Sequence, residues 1–192
     1  MKSRKGPGHF IMRVIAGSAK GRKLKAPEGL HTRPTTDRLK EALFGSIQFE
    51  ISGAAFLDLF AGSGGIGIEA LSRGARTLDL VEQDAKALFC IRQNIRELSF
   101  ERQTRIWAMP VERALKELAK EKRVFDIIFM DPPYLKGWEN KTAALIAQYS
   151  LLGPKGLLII ESSSQTRVEA AGLVLVKEKE YKTTRFSYLR PV

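Results

Sequence analysis

The sequence is poor in the residues that build disulfide-linked or metal-held folds. Of its 192 residues only one is cysteine and two are histidine. A single cysteine, Cys90, excludes a disulfide within the chain, and its place in a helical pattern predicts a small buried side chain. His9 and His31 have no cysteine or histidine partners at zinc-ligand spacing. We therefore expect no metal site.

Long apolar runs are absent as well. No stretch reaches the roughly 18 residues that a membrane helix needs, and the N-terminal MKSRKGPGHF lacks the apolar core of a secretory signal. A hydrophobic fraction of 44% still suffices for a globular core. The length suits one domain with a small appendage. These properties predict a cytoplasmic, monomeric protein with no membrane partner.

Acidic residues are scarce in the first fifth of the chain. Residues 1–40 hold eleven Lys or Arg and only two acids, which accounts for most of the net charge of +11. Clustered positive charge is typical of proteins that bind nucleic acid. Residues 1–12 read as a flexible basic tail. Residues 13–34 predict a hairpin with its charges on one face, and the candidate nucleic-acid contacts are Arg13, Lys20, Arg22, Lys23, Lys25 and Arg33.

From residue 35 onward, predicted helices and strands alternate. Strands separated by helices form βαβ units, which give a largely parallel sheet covered on both faces. The last two strands are joined too tightly for a helix, so they should pair antiparallel. The pattern predicts an α/β fold, with strands at 54–60, 76–83, 103–109, 124–130, 156–162, 173–181 and 183–191 and helices at 35–51, 64–74, 84–98, 111–121 and 140–152.

The stretch FLDLFAGSGGIGIEA places a G-x-G-x-x-G pattern between a predicted strand and a predicted helix, with its glycines at Gly62, Gly64 and Gly67. Glycine permits a sharp turn and a close approach of ligand atoms to the backbone. The N–H groups at the helix start point into such a site. Glu82, twenty residues after Gly62 and at the end of the next strand, suits the two hydroxyls of a ribose. The pattern predicts a nucleoside site.

An acidic residue just before the glycine loop helps to predict which nucleoside binds. Asp58 lies four residues before Gly62, where a carboxylate disfavours a pyrophosphate and favours a cationic group. S-adenosylmethionine carries an ammonium, a sulfonium and a ribose but no phosphate. We therefore predict it as the cofactor, with contacts from Asp58, Phe60, Ala61, Gly62, Ser63, Gly64, Gly67, Glu82 and Gln83.

A second motif, DPPY, ends the apolar strand at 124–130. Proline cannot continue a central strand. The amino nitrogen of a base is a weak nucleophile, because its lone pair is delocalised into the ring. The carboxylate of Asp131 and the carbonyl of Pro132 can accept its N–H groups, aim the lone pair and stabilise the developing charge. Pro132 and Pro133 would fix the backbone, and Tyr134 would stack on a base turned out of its helix.

The combination of D-x-F-A-G-S-G with DPPY resembles the Rossmann-like class I methyltransferases. Within them, the segments GR-x-L and RPT-x-DR-x-[KR]-EALF resemble the bacterial 16S rRNA guanine-N2 methyltransferase family (RsmD-like), and the likeness covers residues 12–190. The resemblance implies a seven-stranded sheet, with methyl transfer to N2 of a guanine in 16S rRNA or an assembling small subunit. It also implies that the RPT-x-D segment, with Arg33, Thr35 and Asp37, closes over the cofactor and faces the substrate.

The chain departs from the family type after the third predicted strand. A polar Asp or Asn is frequent near the adenine in the family, whereas this sequence has Ala108, Met109 and Pro110, so backbone groups would hold the adenine. The main alternative is a DNA adenine-N6 methyltransferase, which also uses DPPY but usually carries an added target-recognition domain. A protein glutamine methyltransferase would favour Asn in place of Asp131. A binding module without chemistry would leave both motifs unused.

Overall fold

A computed structural model describes residues 12–27, 37–133 and 137–192. The predicted tail up to residue 11, the segment 28–36 with Arg33 and Thr35, and Tyr134 lie outside the described residues. The elements found are the strands β1 Ala55–Leu59, β2 Thr77–Glu82, β3 Thr104–Ala108, β4 Phe125–Met130, β5 Leu152–Ser163, β6 Leu173–Tyr181 and β7 Thr184–Pro191, and the helices α1 Asp37–Ser46, α2 Gly65–Ser72, α3 Ala85–Glu97, α4 Val111–Lys120 and α5 Trp138–Gln148.

The strands form one seven-stranded sheet in the order β3-β2-β1-β4-β5-β7-β6. The first five of these strands are parallel to one another, and β7 pairs antiparallel with both β5 and β6. Two residues, Lys182 and Thr183, join β6 to β7, which is too short for a crossover helix and sufficient for a hairpin. The predicted α/β fold with an antiparallel C-terminal strand is confirmed.

Three element boundaries differ by four or five residues from the sequence prediction, and the differences have local causes. Helix α5 ends at Gln148, because Ser150 has a positive φ of 50° and turns the chain so that Leu151 is buried and β5 starts four residues early. Helix α1 ends at Ser46, whose hydroxyl donates to the carbonyl of Leu43 at 2.7 Å. Such a local hydrogen bond competes with continuation of the helix.

Each face of the sheet packs against its own set of helices. Helices α1, α2 and α3 cover one face, where Phe56 and Ile127 are buried. Helices α4 and α5 cover the other face, with Leu57 and Ile128. Neighbouring residues of one strand point to opposite faces, which is why consecutive apolar residues serve both cores. Because strands β1 to β5 are parallel, their carboxyl ends meet at the same edge of the sheet. This is the edge at which α/β folds bind ligands.

Residues 12–27, called the arm below, fold back on themselves. An antiparallel bridge joins Arg13 and Lys23, and the amide of Leu24 donates to the carbonyl of Met12 at 2.8 Å. Val14 and Leu24 are buried in the core beneath α1 and α2. The arm is thus a one-bridge hairpin whose apolar side chains are part of the sheet domain's own core.

Buried polar groups fasten the arm to α2. Glu69 is fully buried, and its carboxylate accepts hydrogen bonds from the amides of Ile15 at 2.8 Å and Ala16 at 2.9 Å. The same carboxylate pairs with Lys40 of α1 at 3.2 Å and Arg73 at 2.8 Å. Lys40 belongs to the basic N-terminal fifth of the sequence, yet it is neutralised inside the protein and adds nothing to the basic surface.

Candidate cofactor and catalytic site

The glycine loop connects β1 to α2 through several left-handed residues. Phe60, Gly62 and Gly64 have φ values of 59°, 56° and 81°. Only glycine adopts such angles without strain, so Gly62 and Gly64 let the chain turn within a few residues. A Cβ placed on Gly62 would meet no atom within 4 Å. The loop therefore has open space beside Gly62, where a ligand can approach the backbone.

The third glycine of the motif serves packing. A Cβ on Gly67 would lie 2.6 Å from Leu78, 2.8 Å from Leu80 and 3.1 Å from an oxygen of Asp58. Its absence lets α2 lie directly on β1 and β2. The amide of Gly67 then donates to the Asp58 carboxylate at 2.9 Å. The sequence prediction of a ligand contact at Gly67 stays a prediction, whereas its contact with the strands is observed.

Glu82, at the end of β2, binds the loop that follows β1. One of its carboxylate oxygens accepts from the amide of Gly62 at 2.7 Å, and the other accepts from the amides of Gln83 at 2.7 Å and Asp84 at 2.9 Å. A carboxylate offers about four acceptor positions. The side chain is half-buried and keeps acceptor capacity for a ligand hydroxyl at the open space beside Gly62.

Asp58 lies beneath the loop in the interior of β1, only 2% exposed. Burial raises the pKa of its carboxyl to about 8, the hydrogen bond from Gly67 opposes the shift, and the nearby Asp131 and Glu82 increase it. A positive ligand group near these three acids would favour the ionised form of Asp58. A cationic ligand group is therefore compatible with this cluster of acids.

The DPPY motif begins where β4 ends, beside the glycine loop. Strands β1 and β4 are in register at Leu59 and Met130, so the residues that follow each strand lie next to each other. Asp131 is half-buried and Pro132 is buried. Burial raises the pKa of Asp131 to about 7, with a further contribution from Glu139. Asp131 and Pro132 therefore border the same edge of the sheet as Asp58.

Two further acids accompany Asp131, and neither is among the residues that the sequence motifs predict. Glu161 near the end of β5 is 4% exposed, and Glu139 in the first turn of α5 is 2% exposed. The register of Met130 with Ile160 places Asp131 and Glu161 on adjacent strands at the same level. Burial raises the pKa of Glu161 to about 8, and Asp131 adds to the shift.

These acids are incompletely hydrogen-bonded. Across the described ranges, three buried side-chain oxygens lack a partner, namely Oε1 of Glu139, Oγ1 of Thr142 and Oε2 of Glu161. A signal for Glu161 exists in the sequence, because it follows the apolar run LLII as Asp131 follows IIFM. Glu139 carries no comparable signal, since only the packing of α5 against the sheet brings it here.

The remaining predicted cofactor residues occupy varied positions. The ring of Phe60 meets that of Trp138 edge-on at 5.9 Å. Ser63 is buried, its hydroxyl donates to the sulfur of Met12 at 3.4 Å, and its carbonyl accepts from Asn94 at 3.1 Å. Ala61 is half-buried and Gln83 is exposed. Phe60 and Ala61 border the edge near Asp131, whereas the two polar groups of Ser63 face the arm and α3.

Asp37 lies beside the arm, which carries the five predicted nucleic-acid contacts that the structure describes. Asp37 pairs with Arg13 at 2.8 Å. Lys25 pairs with Glu97, whose carbonyl also accepts from Arg22 at 3.0 Å. Lys20 and Lys23 are exposed and form no ion pair within the described ranges. Three of these five arm cations thus contact acceptors of the protein itself.

The chemistry of the site fits S-adenosylmethionine. Residues 60–67 contain no Lys or Arg that could pair with a phosphate. Three acidic side chains, Asp58, Glu82 and Asp131, lie near the loop instead, and Gly62 leaves space next to Glu82. Within the described ranges, no group of three or more side chains could hold a metal ion, and no helix is long and apolar enough to cross a membrane.

The family model described as "Conserved hypothetical protein 95" matches residues 12–190. The chain belongs to this family. A curated relative from Bacillus subtilis, "Putative rRNA methyltransferase YlbH", is 41% identical over 175 residues, covering 90% of this chain and 95% of the relative. "Ribosomal RNA small subunit methyltransferase D" of Escherichia coli is 35% identical, covering 84% of this chain and 80% of the relative.

Solved structures of the family agree with this assignment. The "Putative methyltransferase yhhF from Escherichia coli" has a TM-score of 0.81 at 33% identity and covers 94% of this chain and 98% of its own. The family resemblance and the Rossmann-like class I fold expected from the sequence are confirmed. The chain is a methyltransferase that uses S-adenosylmethionine.

Proposed function

We propose that this protein transfers a methyl group from S-adenosylmethionine to the exocyclic N2 of a guanine in small-subunit ribosomal RNA. The observation that carries the proposal is the juxtaposition of Asp131 and Pro132 with the glycine loop, fixed by the register of Leu59 with Met130. The names of the relatives, which specify ribosomal RNA of the small subunit, support the substrate.

The cofactor would lie along the carboxyl ends of β1 and β2. Glu82 would accept a hydrogen bond from a ribose hydroxyl at its remaining acceptor position, and Asp58 would attract the ammonium group. The backbone at Gly62 would approach the nucleoside, because no side chain fills that space. When bound, S-adenosylmethionine supplies an electrophilic methyl carbon on a positively charged sulfur.

Asp131 and Pro132 would orient the attacking nitrogen. The carboxylate and the carbonyl accept the two N–H groups of the amino nitrogen, which turns its lone pair toward the methyl carbon. The nitrogen gains positive charge as the new N–C bond forms, and the same acceptors stabilise that charge. Asp131, with its pKa raised to about 7, can then take the released proton. Tyr134 is proposed to stack on the flipped base.

The test is methyl transfer from tritium-labelled S-adenosylmethionine to naked small-subunit rRNA, assembled small subunits and DNA, followed by nucleoside analysis. We expect N2-methylguanosine in at least one RNA sample, and loss of the product with Asp131→Asn. N6-methyladenine in DNA would instead establish the main alternative. Absence of labelled nucleoside in every sample, with cofactor binding intact, would contradict a nucleic-acid substrate.

A further inference from the structure

Helix α3 carries an exposed aromatic side chain within a row of cations. Phe89 is 61% exposed, whereas Ile91 and Ile95 bury the other side of the helix in the core. Residues three or four apart are neighbours on a helix surface. Lys86, Phe89, Arg92 and Arg96 therefore form one outward strip, called the α3 face below. The side chains of its three cations are exposed and form no ion pair or hydrogen bond within the described ranges.

A cleft lies beside Phe89, between α3 and the end of the arm. Its volume is about 560 Å³, which is within the range of small-ligand pockets. The walls are mostly apolar, with charged and polar groups at Lys25, Lys86 and Gln93. The apolar cleft and the exposed ring of Phe89 can contact a flat aromatic ligand. The cations at the rim can pair with negatively charged groups of the same ligand.

The charge around the cleft is strongly positive. The neighbouring part of the arm adds Arg22, Lys23 and Lys25 to the three cations of the α3 face. Asp84 caps α3 by accepting from the amide of Ala87 at 2.8 Å, and Glu97 contacts two of the six cations, Lys25 and Arg22. The other four, Lys23, Lys86, Arg92 and Arg96, form no ion pair within the described residues, and such a group of exposed cations matches a polyanion.

A second exposed phenylalanine, Phe49, lacks this arrangement. Phe49 is 92% exposed, but it follows α1 and lies near the amino end of β1, the edge opposite the cofactor loop. Its neighbour Glu50 pairs with Arg190 at 2.7 Å. Phe49 thus has no row of free cations along a helix beside it.

We propose that the α3 face and the adjoining cleft bind a single-stranded segment of the RNA substrate. One unpaired base stacks on Phe89, and the phosphates on either side contact Lys86, Arg92 and Arg96. Aromatic rings combined with cations are the means by which proteins hold unpaired nucleotides. The inference rests on the proposed function and extends the RNA contact from the arm to a helix of the catalytic domain.

The position of the α3 face relative to the site supports this assignment. Helix α3 starts at Ala85, three residues after Glu82, and the cleft reaches Ala85. The arm runs along the same helix, since the backbone of Lys25 exchanges hydrogen bonds with the side chain of Asn94 at 2.8 and 2.9 Å. RNA on this surface would therefore run from the arm toward the end of β2, where the nucleoside site begins.

The experiment compares Phe89→Ala with the matched control Phe49→Ala. The probes are naked small-subunit rRNA and a single-stranded RNA oligonucleotide with its complementary duplex, titrated by fluorescence anisotropy. We expect Phe89→Ala to weaken single-strand binding roughly tenfold, the effect of removing one base–aromatic stack. Phe89→Trp should retain binding, and Phe49→Ala should match the wild type.

A charge comparison uses pairs on opposite faces of the sheet. Lys86→Ser with Arg92→Ser should flatten the slope of log affinity against log salt by about 0.7 for each phosphate that the protein no longer neutralises. Arg113→Ser with Lys116→Ser on α4 removes the same charge elsewhere and should leave the slope nearly unchanged. S-adenosylmethionine binding should persist in all of these variants, because none of the changed residues belongs to the proposed cofactor site.

Several outcomes would overturn the inference without touching the proposed function. Wild-type protein that methylates rRNA, together with Phe89→Ala that binds and methylates it equally well, would remove the α3 face from the RNA site. Unchanged binding to naked rRNA with loss of methylation only on assembled subunits would assign the face to a ribosomal protein instead. If the wild type transfers no methyl group to any RNA, the proposed function itself fails.

Discussion

The carboxylate of Glu82 accepts a hydrogen bond from the amide of Gly62 at 2.7 Å, which ties the end of β2 to the loop after β1. Twenty residues of sequence separate the two partners, and the α2 crossover brings them together. The acid therefore has two tasks in the proposed site. It fixes the shape of the glycine loop, and it is available to a ribose hydroxyl at the open space beside that loop.

Replacement of Glu82 should weaken cofactor binding through both tasks. We expect Glu82→Ala to weaken S-adenosylmethionine binding by about 1–3 kcal/mol, because a ligand hydroxyl and the Gly62 amide each lose an acceptor. Glu82→Gln keeps one acceptor oxygen and should lose less. Calorimetric titration of the three proteins gives the affinities. Equal values for wild type and Glu82→Ala would remove Glu82 from the site.

Replacement of Asp131 should affect the reaction more than the binding of the cofactor. Asp131→Ala should lower the single-turnover rate of methyl transfer by about 100-fold or more, the typical effect of removing one transition-state acceptor. Affinity for S-adenosylmethionine should change much less, since Glu82 and Gly62 remain. Rapid-quench assays on rRNA measure the rate. A variant that turns over at nearly the wild-type rate would contradict the role of Asp131.

The buried acids should make the stability of the free protein fall as the pH rises. Burial raises the pKa of Glu161 to about 8, whereas an unfolded glutamate titrates near 4. Between these values the folded protein binds more protons than the unfolded chain, so its free energy of unfolding decreases with increasing pH. Glu161→Gln removes one such group.

The melting temperatures of wild type and Glu161→Gln are to be compared at about pH 5.5 and pH 8.5. This interval covers most of the pH range over which the folded protein is expected to lose stability through Glu161. We expect Glu161→Gln to lose less stability than the wild type over this interval. At the higher pH, its melting temperature should exceed that of the wild type by roughly 2–4 °C for each 1 kcal/mol that the wild type spends on burying the charged carboxylate. Glu101→Gln changes an exposed residue and serves as the control. An equal change in melting temperature between the two pH values for wild type and Glu161→Gln would show that Glu161 does not titrate in this range.

Two glycines of the arm provide a matched test of its contact with α2. Gly17 and Gly21 have φ values of 83° and 81°, so an alanine at either position meets the same backbone strain, about 1–2 kcal/mol. A Cβ on Gly17 would lie 1.7 Å from the carbonyl oxygen of Ser72, whereas one on Gly21 would meet nothing within 4 Å. Gly17→Ala should therefore reduce the free energy of unfolding several-fold more than Gly21→Ala.

Urea denaturation gives the free energies of unfolding for this pair. Similar values for the two variants would mean that the arm does not rest on α2 in solution. The comparison is preferable to deletion of the arm, because deletion would leave the buried Glu69 without the amides of Ile15 and Ala16. If a truncated protein lost RNA binding, the missing cations and the disturbed core could not be distinguished as the cause.

The order of the elements and the chemistry at the ends of the strands follow from local patterns in the amino-acid sequence. The spacing of apolar residues, with a glycine or an acid at the turns, is a local property of the chain that does not depend on tertiary contacts. It predicted all seven strands within about four residues of their ends, and it placed Asp58, Glu82 and Asp131 near strand carboxyl ends. Parallel pairing then brings such ends to one edge, which made the site predictable.

Packing between distant segments, in contrast, determines which polar residues are paired in the interior and which border the proposed site. Lys40 is a basic residue in the sequence, but packing against Glu69 buries it completely. Glu139 and Glu161 reach Asp131 only because α5 and β5 pack beside β4. The arm belongs to the core because Val14 and Leu24 find an apolar surface under α1 and α2. Such contacts join residues far apart in the chain, and their energy depends on burial, which no local pattern records.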